Sequence, residues 1–233
     1  MNIAILLSGG TGSRLGSQKP KQYLDVVGKP IIMYCMETLE KSELIDKIQI
    51  VAHEEWADLI KYWAAQYGVG DKICGFSKPG ENRQLSIYNG LKDIRNFASD
   101  DDNVFIHDAA RPNLRLSTIQ DSFEAISGYD GVIPVLPMKD TVYLSKDGLE
   151  IDSLLNRQEI FAGQAPETFV YGKYLAANEK LVSSGEIMRI NGSTEPAVMA
   201  GMKMHMIAGD EGNFKITTSD DLERFKEQIK AMK

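Results

Sequence analysis

A chain of 233 residues, 43% hydrophobic and 25% charged, is long enough to bury a substantial core and has the balance of a soluble globular protein. A net charge of −7 without any broad basic stripe argues against nucleic acid as the main partner. No basic region precedes the apolar run at residues 3–7, which is too short for a signal or membrane segment, so the chain reads as cytoplasmic.

Residues 2–7 predict a buried strand, running directly into the glycine-rich stretch Ser8-Gly9-Gly10-Thr11-Gly12-Ser13-Arg14. Pro30 suits the first position of a helix carrying Ile31, Ile32, Cys35, Met36 and Leu39. Residues 47–52 form the next strand. Residues 54–67 then carry Trp56, Leu59, Ile60, Trp63, Ala64 and Tyr67 on one helical face, which reads as core. A short strand near 72–76 leads through Pro79-Gly80-Glu81-Asn82 to a helix with Ile87, Leu91 and Ile94. Residues 103–107 are a buried strand, ending in the loop His107-Asp108-Ala109-Ala110-Arg111-Pro112. Ser117 is expected to cap a helix to about 127, and 131–136 is again a strand.

The rhythm then changes. Thr141-Val142-Tyr143-Leu144, the turn Lys146-Asp147-Gly148 and a return over 149–154 predict a β-hairpin. A helix over 170–183, a loop at Asn191-Gly192-Ser193, a strand at 203–207 and a closing helix complete the chain. The whole reads as one domain, residues 1–233. Its fold class is α/β: a Rossmann-like, mostly parallel sheet with helices on both faces and a projecting hairpin arm at about 139–160. Such an appendage suggests a homodimer arm. Cys35 and Cys74 lack metal-ligand spacing and read as inert thiols.

Ligands of open α/β sheets gather beyond the carboxyl ends of the strands, where the glycine loop, residues 79–86, the Asp108 loop and residues 139–141 all fall. The first loop lacks the Gly-Lys-Ser/Thr of a P-loop. It is no dinucleotide fingerprint either, because Leu15 stands where the third glycine belongs; a dinucleotide oxidoreductase is therefore disfavoured. Arg14 and Lys21 beside backbone donors suit a triphosphate. Asp108 at a strand end suits Mg2+, which takes few protein carboxylates; the plainer reading is a turn cap. Arg111 reads as a phosphate or carboxylate fork, and His107 as a packed, hydrogen-bonded histidine. With no nucleophile–base arrangement, the chemistry expected is displacement between phosphates.

These motifs resemble a family. The glycine loop, Pro20-Lys21-Gln22-Tyr23-Leu24, Gly28-Lys29-Pro30, Arg83 to Ser86 with Gly90-Leu91, His107-Asp108-Ala109-Ala110-Arg111-Pro112, Asp140-Thr141 and Asn213-Phe214-Lys215-Ile216-Thr217 run in order along nearly the whole chain. They are similar to the 2-C-methyl-D-erythritol 4-phosphate cytidylyltransferases and, equally, to the ribitol 5-phosphate cytidylyltransferases. The resemblance implies attack of a polyol phosphate on the α-phosphorus of CTP, with pyrophosphate leaving. It implies catalytic roles for Arg14, Lys21 and Lys215. It implies nucleotide binding by Ser8, Gly9, Gly10, Thr11, Gly12, Gly80, Arg83, Ser86 and Asp108, with Asp108 on Mg2+. It implies acceptor binding by Arg111, Thr141 and Arg157, the last from a neighbouring subunit's arm.

Two stretches depart from the family pattern. The Thr-Asp of the late loop is replaced by Ile190-Asn191-Gly192-Ser193-Thr194-Glu195-Pro196, making Glu195 the candidate replacement acid. Ala-Gln-Thr-Pro-Gln becomes Gly163-Gln164-Ala165-Pro166-Glu167. The acceptor is thus open among methylerythritol, ribitol, glycerol and other sugar-alcohol phosphates. A CTP-binding module without turnover is the alternative to an enzyme.

Overall fold

The computed structural model describes residues 1–10, 19–190 and 192–231. Strands β1 (Asn2–Leu7), β4 (Lys47–Val51), β5 (Ile73–Ser77) and β6 (Asn103–Asp108) lie parallel in the order β5-β4-β1-β6. The sheet continues through β11 (Glu167–Val170), antiparallel to β6, to β7 (Gly131–Pro137). At the other end of β7, β10 (Phe161–Gly163) pairs antiparallel, and β12 (Met204–Ala208) pairs with β7 in parallel. The small strands β2 (Asp25–Val26) and β3 (Lys29–Pro30) pair with each other, as do β8 (Val142–Leu144) and β9 (Ser153–Leu155).

Strand alternation divides the core. On β1, Ala4 and Leu6 face α1 (Ile31–Lys41), α2 (Glu54–Gln66) and α4 (Leu116–Ala125); Ile3 and Ile5 face α3 (Arg83–Asp93), α5 (Tyr171–Ser184) and α6 (Glu195–Met199). With both faces covered, continuous apolar strands are the stable solution. A smaller cluster of Val26, Ile31, Ile216 and Phe225 seats α7 (Ser219–Ala231) against the start of α1. The tryptophan stripe is core as read: Trp56 stacks on the buried Tyr23 at 4.5 Å and Trp63 lies 6.1 Å from it.

Several boundaries moved. Pro30 belongs to β3 and precedes α1, and Ser117 lies inside α4, which starts after Arg115. Residues 195–199 are helical where a loop was expected, and β10 and β11 were not foreseen. The β8–β9 hairpin projects as its own two-stranded sheet, closed by the Asp147 carboxylate, which accepts from the Leu149 and Glu150 amides at 2.8 and 3.0 Å. Its apolar side chains lie open: Leu149 is 89% exposed and Leu154 66%.

Candidate active site

A cavity of about 470 Å³ opens over the carboxyl edge of the parallel strands. Leu7, Gly9, Gly10, Lys21, Gln22, His53, Asp108, Lys215 and Thr217 line it, with the run from Gly80 to Arg83 and Ser86. Five loops, following β1, β4, β5, β6 and β12, therefore converge, as the strand order requires.

The glycine loop is held from behind. The side chain of Gln22 donates to the carbonyls of Ser8 and Gly10 at 2.7 and 2.8 Å. The Tyr23 hydroxyl donates to the Ser8 carbonyl at 2.9 Å and accepts from the Ser8 hydroxyl at the same distance. Ser8 thus serves as scaffold below the cavity, with its side chain turned to Tyr23. A side chain at Gly9 would collide with Pro79, so the two loops meet at a separation only glycine permits, and one at Gly80 would collide with Leu85 in the first turn of α3. Ser86 sets the second loop: its hydroxyl donates to the Asn82 carbonyl at 2.9 Å and accepts from the Gly80 amide at 3.0 Å. Asn82 caps α3 through the Leu85 amide at 2.8 Å.

Asp108 sits at the centre, 6% exposed at the end of β6. Arg83 Nε donates to its Oδ1 at 3.1 Å and Lys215 Nζ to its Oδ2 at 3.0 Å, while Arg111 Nε lies 3.7 Å from Oδ2. Burial alone would raise this carboxyl, but Arg83, Lys215 and Arg111 hold it well below the usual carboxylate range. His107, expected as packed, is fully buried, and its Nε2 meets the Arg111 carbonyl at 3.0 Å. Burial pushes its pKa down to about 4, so the ring is neutral.

Other expected residues fall elsewhere. Arg111, read as a phosphate or carboxylate fork, is not in the cavity's lining; beside its 3.7 Å approach to Asp108, it donates to the Asn213 carbonyl at 2.7 Å and ties the Asp108 turn to the segment carrying Lys215. Thr141 and Arg157 lie on the exposed arm, outside this cavity's lining, with Arg157 donating to the Lys139 carbonyl at 2.8 Å. Thr11, Gly12 and Arg14 lie outside the described residues. Glu195, the candidate replacement acid, is not in this cavity's lining; its carboxylate accepts from the Gly192 amide at 3.3 Å, at the start of α6.

A second buried acid stands behind the cavity, beside Arg83: Glu167, at the start of β11. It is 7% exposed, with Oε2 3.5 Å from Arg83 and Oε1 accepting from the Ser193 hydroxyl. Burial raises its pKa against the pull of Arg83 and Ser193. The chain of contacts continues: Tyr174 donates to the Ser193 carbonyl at 2.6 Å, and Gln84, next to Arg83, donates to the Tyr174 hydroxyl at 3.0 Å. Both departures from the family pattern thus meet inside one buried polar network. An acid opening the apolar run Thr168-Phe169-Val170 was the available signal for it.

Glycine loops and three cations about one carboxylate, around a cavity of this size at the carboxyl edge of a parallel sheet, are the marks of an α/β protein suited to a phosphorylated ligand. The family model for IspD, 2-C-methyl-D-erythritol 4-phosphate cytidylyltransferase, matches residues 2–230, and the chain belongs to that family. It is 31% identical to a ribitol-5-phosphate cytidylyltransferase of Streptococcus agalactiae serotype V, over 97% of this chain and 94% of the relative. It is 33% identical to a 2-C-methyl-D-erythritol 4-phosphate cytidylyltransferase of Clostridium botulinum, over 95% and 94%. The crystal structure of the Francisella tularensis 2-C-methyl-D-erythritol 4-phosphate cytidylyltransferase is similar at a TM-score of 0.81 and 27% identity, covering 97% of this chain and 99% of that one. The same fold appears in an Anaerococcus prevotii 4-diphosphocytidyl-2C-methyl-D-erythritol synthase, with a TM-score of 0.84, 24% identity and 98% and 96% coverage.

Proposed function

We propose that this chain transfers a cytidylyl group from CTP to the phosphate of a polyol phosphate, releasing pyrophosphate. The observation that carries the proposal is that Gly9, Gly80, Lys21, Lys215 and Asp108 line one cavity, in a chain of this family. The backbone at Gly9 and Gly80, with the Ser86 hydroxyl, would take the cytosine. Lys215 would leave Asp108 for the triphosphate; its side chain is 36% exposed at the cavity wall, so that exchange carries little desolvation. Lys21, with Arg14, would stabilise the charge on the crowded α-phosphorus as an acceptor oxygen attacks in line and pyrophosphate departs.

A divalent cation fits this arrangement as a passenger of the nucleotide. Among the described residues no cluster of three or more acidic, histidine or cysteine side chains could cage one. Mg2+ needs only one or two protein carboxylates when substrate phosphates supply the rest, so Asp108 suffices as the protein ligand. When bound, it would neutralise triphosphate charge.

For the acceptor, Thr141 and Arg157 would grip the phosphate, delivered by the arm of a second copy. The open apolar face of that arm, with Tyr143, Leu149, Ile151 and Leu154 all more than half exposed, favours such a homodimer. Among the described residues no helix is long and apolar enough to cross a membrane. Both kinds of curated relative leave methylerythritol phosphate and ribitol phosphate as the leading acceptors. Pyrophosphate release from CTP against a panel of polyol phosphates tests the reading. Release with one or more acceptors is expected; CTP binding without release for any of them would make the chain a binding module instead.

A further inference from the structure

Asp108 poses a problem of access. Both of its carboxylate oxygens already hold cations, Arg83 on Oδ1 and Lys215 on Oδ2. Lys215 stands at the cavity wall and can pass to a phosphate. Arg83 also lines the cavity, 30% exposed but held between two carboxylates, and its guanidinium keeps its pairing only if another anion takes it when Oδ1 is released, because a partly buried charge without a partner is costly. The second anion is beside it. Glu167 Oε2 lies 3.5 Å from an Arg83 terminal nitrogen, is buried, and has no hydrogen-bond partner of its own. Its other oxygen is fixed by Ser193, whose carbonyl is fixed in turn by Tyr174. The carboxylate is therefore aimed and held, with one oxygen left for the guanidinium. A movement of about 0.6 Å would bring that pair to ordinary charge-assisted hydrogen-bond length.

We propose that Glu167 is a positioning residue: a second seat for Arg83, which the guanidinium takes when the nucleotide and its divalent cation claim Asp108. This rests on the cytidylyl-transfer reading above. Glu167 touches no substrate; it acts by keeping Arg83 charged, satisfied and off Asp108. The buried acid and the serine that departs from the family pattern thus form one device, the serine aiming the acid.

Calorimetric titration of CTP, with Mg2+ and with EDTA, tests this on the intact protein. Glu167→Gln keeps the shape and can still accept from Ser193, but offers Arg83 no charge. Its CTP affinity should fall about 10-fold in Mg2+ and stay within about 2-fold of wild type in EDTA, since only the Mg2+ complex needs Asp108 freed. Glu167→Asp, charged but shorter, should be intermediate. In an Arg83→Ala background, Glu167→Gln should add nothing further. An unchanged affinity in Mg2+, an equal loss in both conditions, or a full additional loss in the Arg83→Ala background would overturn the proposal. If Glu167→Gln does not fold, Glu167→Asp decides by the same two conditions. A wild-type protein that binds CTP with Mg2+ yet releases no pyrophosphate with any acceptor overturns the function, while this comparison still stands or falls alone.

Discussion

The two ends of this molecule are built on opposite principles. At the carboxyl edge of β1 and β6 every loop is braced. Gln22 and Tyr23 hold the glycine loop, Asn82 and Ser86 hold the next, and Arg111 ties the Asp108 turn to the Lys215 segment. The arm formed by β8 and β9 has no such bracing from the core sheet: its strands pair with each other and its apolar side chains face outward. A site that must recognise one nucleotide gains from rigid backbone donors, which lose no freedom on binding. A segment that serves a second copy must instead reach away from its own chain. On the proposed reading, the contrast divides the labour: the nucleotide is held by braced loops of one chain, and the acceptor would be gripped by an arm that reaches towards a second copy.

The sharpest break of that contrast is Lys21→Ala. The account predicts a fall in single-turnover rate of about 10²–10³-fold, with CTP affinity changed by less than about 3-fold. Collapse of affinity with an intact rate at saturation would remove Lys21 from the chemistry. Next is Gly80→Ala, whose methyl group would run into Leu85. It should cost about 1–3 kcal/mol of stability by denaturant melt, together with CTP binding; an unperturbed protein would mean that the loop is not braced. Arg157→Ala should lower acceptor kcat/KM by about 10-fold or more and leave CTP affinity alone. Mixing Arg157→Ala with Lys21→Ala protomers should restore about a quarter of wild-type activity, because one site in each mixed dimer is whole. Absence of recovery in demonstrably mixed dimers would return the arm to its own chain.

The smallest effect concerns Asp221, which with Thr218 forms a reciprocal cap at the start of α7: the Thr218 amide donates to Asp221 at 2.8 Å and the Asp221 amide to the Thr218 hydroxyl at 3.2 Å. Burial would raise this carboxyl, but hydrogen bonds from Thr217 and Thr218 outweigh it and hold the pKa at about 2. A depressed folded-state pKa contributes stability above the ordinary aspartate value, and that contribution is lost as pH falls towards 2. Asp221→Asn should therefore flatten the acid limb of the stability profile below about pH 4. A limb of unchanged slope would show the cap to be inert.

What the sequence made legible follows from locality. The parallel strands announce themselves as short apolar runs because both faces are buried, and the helices between them by their spaced apolar residues. Asp108, Lys215 and the glycines stand in contiguous motifs and could be assigned from them. β10 and β11 could not: each is three or four residues long, and their pairing with β7 and β6 depends on contacts made across long stretches of chain. The bracing by Gln22 and Tyr23 was hidden for the same reason, since the motif shows the residues but not what they reach back to hold. Glu195 drew the eye as an acid inside the altered loop, and nothing local marked Glu167, 28 positions earlier in the chain, as the buried acid near the cations.

The central claim is transfer of a cytidylyl group to a phosphate, and phosphorus NMR of CTP with ribitol 5-phosphate or 2-C-methyl-D-erythritol 4-phosphate reads it directly. The account predicts, with at least one of these acceptors, new coupled diphosphate resonances of a CDP-alcohol, appearing in step with pyrophosphate as CTP and acceptor disappear. CMP and pyrophosphate formed by hydrolysis alone, or CTP left intact with every acceptor, would contradict it.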